Sequence, residues 1–319
     1  MNKRTPTLVS LCVGLLAGSV WPALAGELHV WTSEPAGFNT HSVWYDDGFE
    51  VTVVDTQFTP AIAEKLIADI HKETRSPITR VIVTHPNPDK FNATAVFHNA
   101  GAESIASAAT AASLPGVDAY KRNFWVKVAK SFSEETYPRP EPIQTTFSGR
   151  TTIKLKSGET ITLIELARPG ISSTQTIVRF DATGDLAVGD LVHYKTHAWL
   201  EGGIVNGKPK PDLEGWKADL KELPGLAKGR VYGGRGEFAP VEEAVAAQIT
   251  YLDKADTIVA DYLNALGDNA KAEFDDGARA QQHYALIRDA VAKAFPDYAM
   301  PDLVSYSVYG LMMQKLAAR

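Results

Sequence analysis

Three stretches of the chain carry residues whose types can do chemistry. Thr84-His85-Pro86-Asn87-Pro88-Asp89-Lys90 holds an imidazole, a carboxylate and an ammonium, Gly189-Asp190 a second carboxylate, and Gly233-Gly234-Arg235-Gly236 a guanidinium. Each follows an apolar run, and α/β proteins gather their sites where strand ends converge on one rim. Residue type alone leaves two readings open. His85 either serves a site or caps a strand end, and Asp89, Lys90, Asp190 and Arg235 either converge or stand apart as surface charges. Other catalytic patterns are missing: there is no Gly-x-Ser-x-Gly elbow and no His-Glu-x-x-His, and Gly149 and Gly158 lack a phosphate-loop lysine. Ser172 and Ser173 have no nearby His–Asp pair, and His29, His41, His71, His98 and His283 have no ligand-like spacing.

The elements that must position these residues follow from periodicity. Val43-Trp44-Tyr45 and Glu50-Val51-Thr52-Val53-Val54 read as paired strands around an Asp46-Asp47-Gly48 turn. Thr59 is an N-cap candidate before Pro60, and Ile62, Leu66, Ile67 and Ile70 give a helix over 60–72 one apolar face. Arg80-Val81-Ile82-Val83 is a buried strand delivering Thr84 and His85. Segments 151–156, 160–166, 175–180 and 186–188 are β-prone, and 137–142 (YPRPEP) marks a loop. From Val241 the pattern is helical to Gly267, and a last helix over 278–294 turns Leu286, Ile287, Ala290 and Val291 inward. Asp55 reads as a loop-orienting acceptor, and Trp125 and Tyr120 as packing.

Composition bounds the class. The 319 residues are 45% hydrophobic and 22% charged, enough for a full core and against disorder. A formal charge of −6 gives no reason to expect nucleic-acid binding. Lys3, Arg4, an apolar run and Ala23-Leu24-Ala25 describe a signal peptide over 1–25, followed by a single domain over 26–319. Its removal takes two basic residues and no acid, moving the charge from −6 to −8. Cys12, the one cysteine, leaves with it, so thiolate chemistry and disulfides are excluded from the mature chain. A periplasmic or secreted protein without a membrane span is expected.

The order of these features resembles the metallo-β-lactamase fold family of hydrolases over nearly the whole mature chain. The matching pieces are the strand ending in Asp55-Thr56, the 60–72 helix and the Thr-His-x-His-x-Asp-His loop, here 84–90. Gly101-Ala102-Glu103, the Pro169-Gly170 turn, Gly189-Asp190-Leu191-Val192 and a late glycine-rich turn at 233–236 follow in the same order. The resemblance implies an α/β fold, a four-layer αββα sandwich with C-terminal helices, and a zinc pair on one edge of the sandwich. His197-Ala198-Trp199-Leu200 resembles a segment that borders the pocket in periplasmic relatives.

Most of the family's ligands are replaced. His85, Asp89 and Asp190 match. Asn87 and Lys90 stand at two histidine positions of the first loop, Ile171 at that of the Gly-His-Thr turn, and Arg235 at that of the late Gly-His-Gly turn. Zinc takes about four nitrogen, oxygen or sulfur donors. Lys90 and Arg235 instead offer two monovalent cations to Asp89 and Asp190, balancing charge without a metal. The expected reading is a family member without a cofactor that binds a small-molecule ligand or a periplasmic protein partner. The alternative is a hydrolase of an ester, lactam, lactone or phosphoester. It would hold one zinc or other divalent metal on His85, Asp89 and Asp190, with Asn87 or His197 assisting and Lys90 or Arg235 neutralising an oxyanion.

Overall fold

The computed structural model describes residues 26–319; the signal peptide expected over 1–25 lies outside the described residues. Two six-stranded sheets face each other. The first runs β1 (Glu27–Thr32), β2 (His41–Asp46), β3 (Val51–Val54), β4 (Ile78–Ile82), β5 (Glu103–Ser107) and β6 (Thr145–Phe147), in that spatial order. β1 to β3 pair antiparallel, and β3 to β6 are parallel. The crossovers between parallel strands are helical: α1 (Pro60–Glu73), then α2 (Pro88–Phe91) with α3 (Thr94–Asn99), then α4 (Ala108–Asn123). The second sheet contains β7 (Arg150–Lys154), β8 (Thr160–Glu165), β9 (Thr176–Phe180) and β10 (Asp185–Tyr194). A small hairpin, β11 (Gly203–Val205) with β12 (Lys208–Lys210), and α5 (Leu213–Leu226) come next. β13 (Arg230–Gly236) and β14 (Ala239–Pro240) then complete the sheet. Helices α6 (Val241–Leu266), α7 (Ala270–Asp275), α8 (Gly277–Ala294), α9 (Asp302–Ser307) and α10 (Tyr309–Ala317) end the chain.

Strand alternation assigns the layers. On β2, Val43 and Tyr45 point between the sheets, meeting Leu163, Val178 and Phe180 of the opposing sheet. Trp44, between them, faces the other way and packs with Leu66 and Ile70 of α1. The outer face of the second sheet buries Val188 and Val192 against Trp216 and Leu220 of α5 and Leu252 and Val259 of α6. The result is the expected αββα sandwich. Among the described residues, no helix is long and apolar enough to cross a membrane.

Three local expectations need correction. Leu286 is 54% exposed, while Ile287 and Val291 are fully buried, so the inward face of α8 is narrower than its apolar pattern suggests. The strand expected over 186–188 continues to Tyr194, because its pairing with β13 shifts register around Gly189 and resumes beyond it. Residues 233–236 form the end of β13 and no turn, since the glycines there pair with β10.

Candidate functional site

The site begins at the C-terminal edge of β3 and β4. Asp55 takes a left-handed φ of 70° after β3 and accepts hydrogen bonds from the Thr84 backbone N–H and hydroxyl, both at 2.9 Å. That fixes the 84–90 loop by the orienting role expected of Asp55. Two backbone bonds, Thr56 N–H to the Lys90 carbonyl and Gln57 N–H to the Asp89 carbonyl, hold the far end of the loop. His85 is fully buried, and its Nδ1 lies 2.9 Å from the Thr84 hydroxyl. Asp89 and Lys90 sit on α2.

The second sheet brings the other half. β10 delivers Asp190, and the parallel β13 sets Arg235 beside His193. Close approach is possible because of glycine. A Cβ at Gly234 would lie 2.0 Å from Asp190 Oδ1 and 2.8 Å from Lys90 Nζ. At Gly189, where φ is +50°, a Cβ would lie 2.4 Å from the Thr84 hydroxyl oxygen.

Four buried charges therefore meet. Lys90 Nζ lies 2.8 Å from Asp89 Oδ2 and 2.9 Å from Asp190 Oδ1. Arg235 bridges the same carboxylates, donating from Nη1 to Asp190 Oδ2 at 2.7 Å and from Nη2 to Asp89 Oδ2 at 2.8 Å. Its Nη2 also reaches the Thr40 hydroxyl at 2.9 Å, and its Nε the Phe38 carbonyl at 2.9 Å. Phe38 adopts a left-handed φ of 61°, an uncommon conformation for a bulky residue, and so turns its carbonyl to the guanidinium. Such a charge-assisted fork is fixed in angle as well as distance.

The electrostatics follow from those distances. Burial opposes ionisation of Asp89, but the Lys90 and Arg235 cations overrule it and hold the carboxyl down at about 2. Burial acts likewise on Asp190, and Arg235 and Lys90 still leave its carboxyl well below the usual range. Burial disfavours the Lys90 cation, and Asp190 and Asp89 outweigh it, so its pKa is raised. His85, pushed down to about 4 by burial, and His193, pushed down to about 3 by the same cause, are neutral beside these charges.

A narrow cleft opens above the cluster. Phe38, Phe58, Trp125 and Trp199 form its aromatic wall, and Asn87, Asp89, Asp190, Arg235 and Lys121 its polar surface. Its space of about 30 Å³ suits a water or two and no larger organic molecule without side-chain movement. Lys121, from α4, is ion-paired with buried Glu201, which also accepts from Trp199 Nε1 at 2.8 Å and from the Tyr309 hydroxyl.

The singled-out residues thus separate into three groups. Asn87, Asp89, Asp190 and Arg235 line the cleft, with Lys90 and His85 completely buried beneath its rim. Ile171 lies in the apolar core behind the second sheet with Leu191 and Trp216. His197 sits away from the cleft lining, its Nδ1 3.1 Å from the Tyr251 hydroxyl and its ring edge-on to Tyr251 and Tyr298. Trp125, read as packing, does pack against Phe38 and Phe58, and it also walls the cleft. Ser172 is buried, and β11 covers the adjoining Ser173: a Cβ at Gly203 would lie 2.3 Å from its backbone nitrogen. Phe38, Thr40 and Lys121 had no motif to mark them, whereas Trp199 was signalled by the segment 197–200.

The donor set does not fit a zinc pair. His85 Nε2 lies 3.8 Å from Asp190 Oδ2, while Asn87 and Ile171 stand where the resemblance implies its two companion histidines, and Ile171 has no donor atom. The carboxylates of Asp89 and Asp190 are both held by side-chain cations. Among the described residues, no group of three or more His, Cys, Asp or Glu is arranged to hold a metal ion.

Comparison with known proteins agrees with the architecture. The sequence model of the metallo-beta-lactamase superfamily matches residues 35–235. The fold is similar to that of a metallo-beta-lactamase from Pontibacter korlensis, with a TM-score of 0.54 and 17% identity over 72% of this chain and 95% of that one. It is also similar to the metallo-beta-lactamase DIM-1, with a TM-score of 0.51 and 18% identity over 74% of this chain and 95% of that one. No curated protein sequence matches the chain.

Proposed function

The chain belongs to the metallo-β-lactamase superfamily, and from that premise we propose a member that has given up the zinc-hydrolase reaction and works as a metal-free binding or accessory protein. The observation that carries this reading is the contact of Lys90 and Arg235 with both Asp89 and Asp190. Two protonated side chains supply the two positive charges that a dication would otherwise bring. Neither can donate an electron pair to a metal while protonated, and although burial works against both cations, the Asp190 and Asp89 carboxylates outweigh it and keep them protonated. Fold membership by itself assigns no activity, so the side chains at the site decide. The signal-peptide pattern of the first 25 residues supports a place in the periplasm or outside the cell.

With no activated water, the remaining groups of the cleft can bind, orient and exclude solvent. With a wall side chain moved aside, they suit a small-molecule ligand or a segment of a periplasmic protein. Metal analysis of protein purified without chelators tests the reading. It predicts less than a tenth of an equivalent of zinc, iron or manganese after dialysis, on the order expected of a site lacking four donors. About one equivalent surviving dialysis would overturn it.

A further inference from the structure

The cleft has an uneven balance of used and unused polar groups. Its cations are engaged: Arg235 on Asp89, Asp190, Thr40 and the Phe38 carbonyl, and Lys121 on Glu201. Its remaining groups are a carboxylate oxygen and a side-chain amide. Every contact that Lys90, Arg235 and Thr40 make with Asp89 goes to Oδ2, which leaves Oδ1. Asn87 occupies the N-cap position of α2 yet makes no side-chain cap bond, although it is only 8% exposed and lines the cleft. The aromatic wall, moreover, already holds an ammonium: Lys121 Nζ stands 5.0 Å from the centroid of the Trp199 ring.

We propose that the cleft binds a small organic ammonium ion, its nitrogen on Asp89 Oδ1 and Asn87 and its carbon groups against Phe38, Phe58 and Trp125. The inference rests on the metal-free reading above, because a dication on Asp89 would occupy the same oxygen and repel the ligand. Entry of such a ligand requires Trp125 to swing aside. It lies on a π-helical turn, Phe124–Val128, that extends α4, and such turns are rare and concentrate at functional sites. Its ring meets Phe38 and Phe58 at 5.6 and 5.5 Å between centroids, tilted against both, so a swing of one side chain widens the cleft.

The test titrates the purified protein with methylammonium and n-butylammonium chloride at constant ionic strength, followed by calorimetry and tryptophan fluorescence. Sodium butyrate and n-butanol serve as size-matched anionic and neutral probes. Saturable binding of both ammonium ions, in competition with each other, is expected, with no saturable binding of butyrate or butanol. Trp125→Ala should weaken ammonium binding by about tenfold, and Asn87→Ala, at the opposite wall, should weaken it in a protein that keeps Trp125. Butyrate binding as tight as the ammonium ions, absence of saturable ammonium binding, or undiminished affinity in both variants would overturn the inference. A parallel zinc titration separates the two readings. Stoichiometric zinc binding that displaces ammonium overturns the metal-free function as well, whereas binding of neither probe overturns the ammonium site alone.

Discussion

Asp89 and Asp219 are both aspartates withdrawn from solvent, one on α2 and one on α5, and their surroundings drive them in opposite directions. Among the described residues, neither oxygen of Asp219 has a hydrogen-bond partner, and its nearest cation, Arg168, stays 3.6 Å away while bonding Glu222 at 2.5 Å. Burial, reinforced by the Glu222 charge, pushes Asp219 up to about 7. Asp89 is subject to the same burial, yet two cations at 2.8 Å hold it near 2. Burial by itself neutralises a carboxylate; a buried carboxylate keeps its charge only when counter-charges are fixed within contact distance. The cluster under the cleft is built on the second rule, with lysine and arginine as permanent counter-ions.

Removal of a counter-ion from Asp89 should cost the most stability. Lys90→Ala strands Asp89 and Asp190 with Arg235 alone, and urea unfolding should report a loss of about 3–5 kcal/mol, the range for breaking a buried pair. A variant as stable as the wild type would mean that Lys90 turns to solvent.

Asp219→Asn sharpens the other side. The folded carboxyl of Asp219, raised to about 7, takes up a proton that the unfolded chain releases near 3.9. Its contribution to stability is therefore present at low pH and falls away as pH rises from about 4 to 7. The asparagine variant should lose that slope and gain about 1–3 kcal/mol over the wild type at pH 8, the scale of an unsatisfied buried polar group. Measuring both proteins at each pH isolates Asp219, because Asp55, also raised to about 7 by burial, is common to the two. Asp89 moves the opposite way: its contribution is intact above about 4 and is lost only as pH falls through about 2.

The smallest effect is a null one. Burial holds His41, His85 and His193 at about 4, 4 and 3, so their ring resonances should stay unshifted between pH 5 and 8 in NMR titration. The stability they contribute is present above the unfolded value near 6.5 and is lost as pH falls toward the folded values. A midpoint near 6.5 for His85 would place its ring in water and contradict the packed cluster.

What could be read from sequence depended on range. Local patterns sufficed for the β2–β3 hairpin, the Thr59-capped α1 and α6 with its stop at Gly267, because period and caps are written in neighbouring residues. β10 and β13 were underestimated. Glycine and aspartate are poor strand formers, and only pairing across the sheet keeps 189–190 and 233–236 extended. Helices α9 and α10 went unread since each is short and is held by tertiary contact, such as that of Gly310 against the Glu201 carbonyl. The convergence of Asp89, Lys90, Asp190 and Arg235 was visible through family resemblance alone, their separation in the chain offering no local cue. The left-handed Phe38 that anchors Arg235 left no signature in residue type.

If Lys90 and Arg235 stand in place of a metal's charge, zinc-dependent thermal unfolding should separate the wild type from a protein that lacks both cations. In the double variant Lys90→His with Arg235→His, two imidazoles join Asp89 and Asp190, and zinc should raise the melting midpoint by several degrees, from about 2.7 kcal/mol at a hundredfold excess over Kd. The wild type should show no rise. An equal rise in the wild type would show that the native cluster already takes metal, and the account would fail.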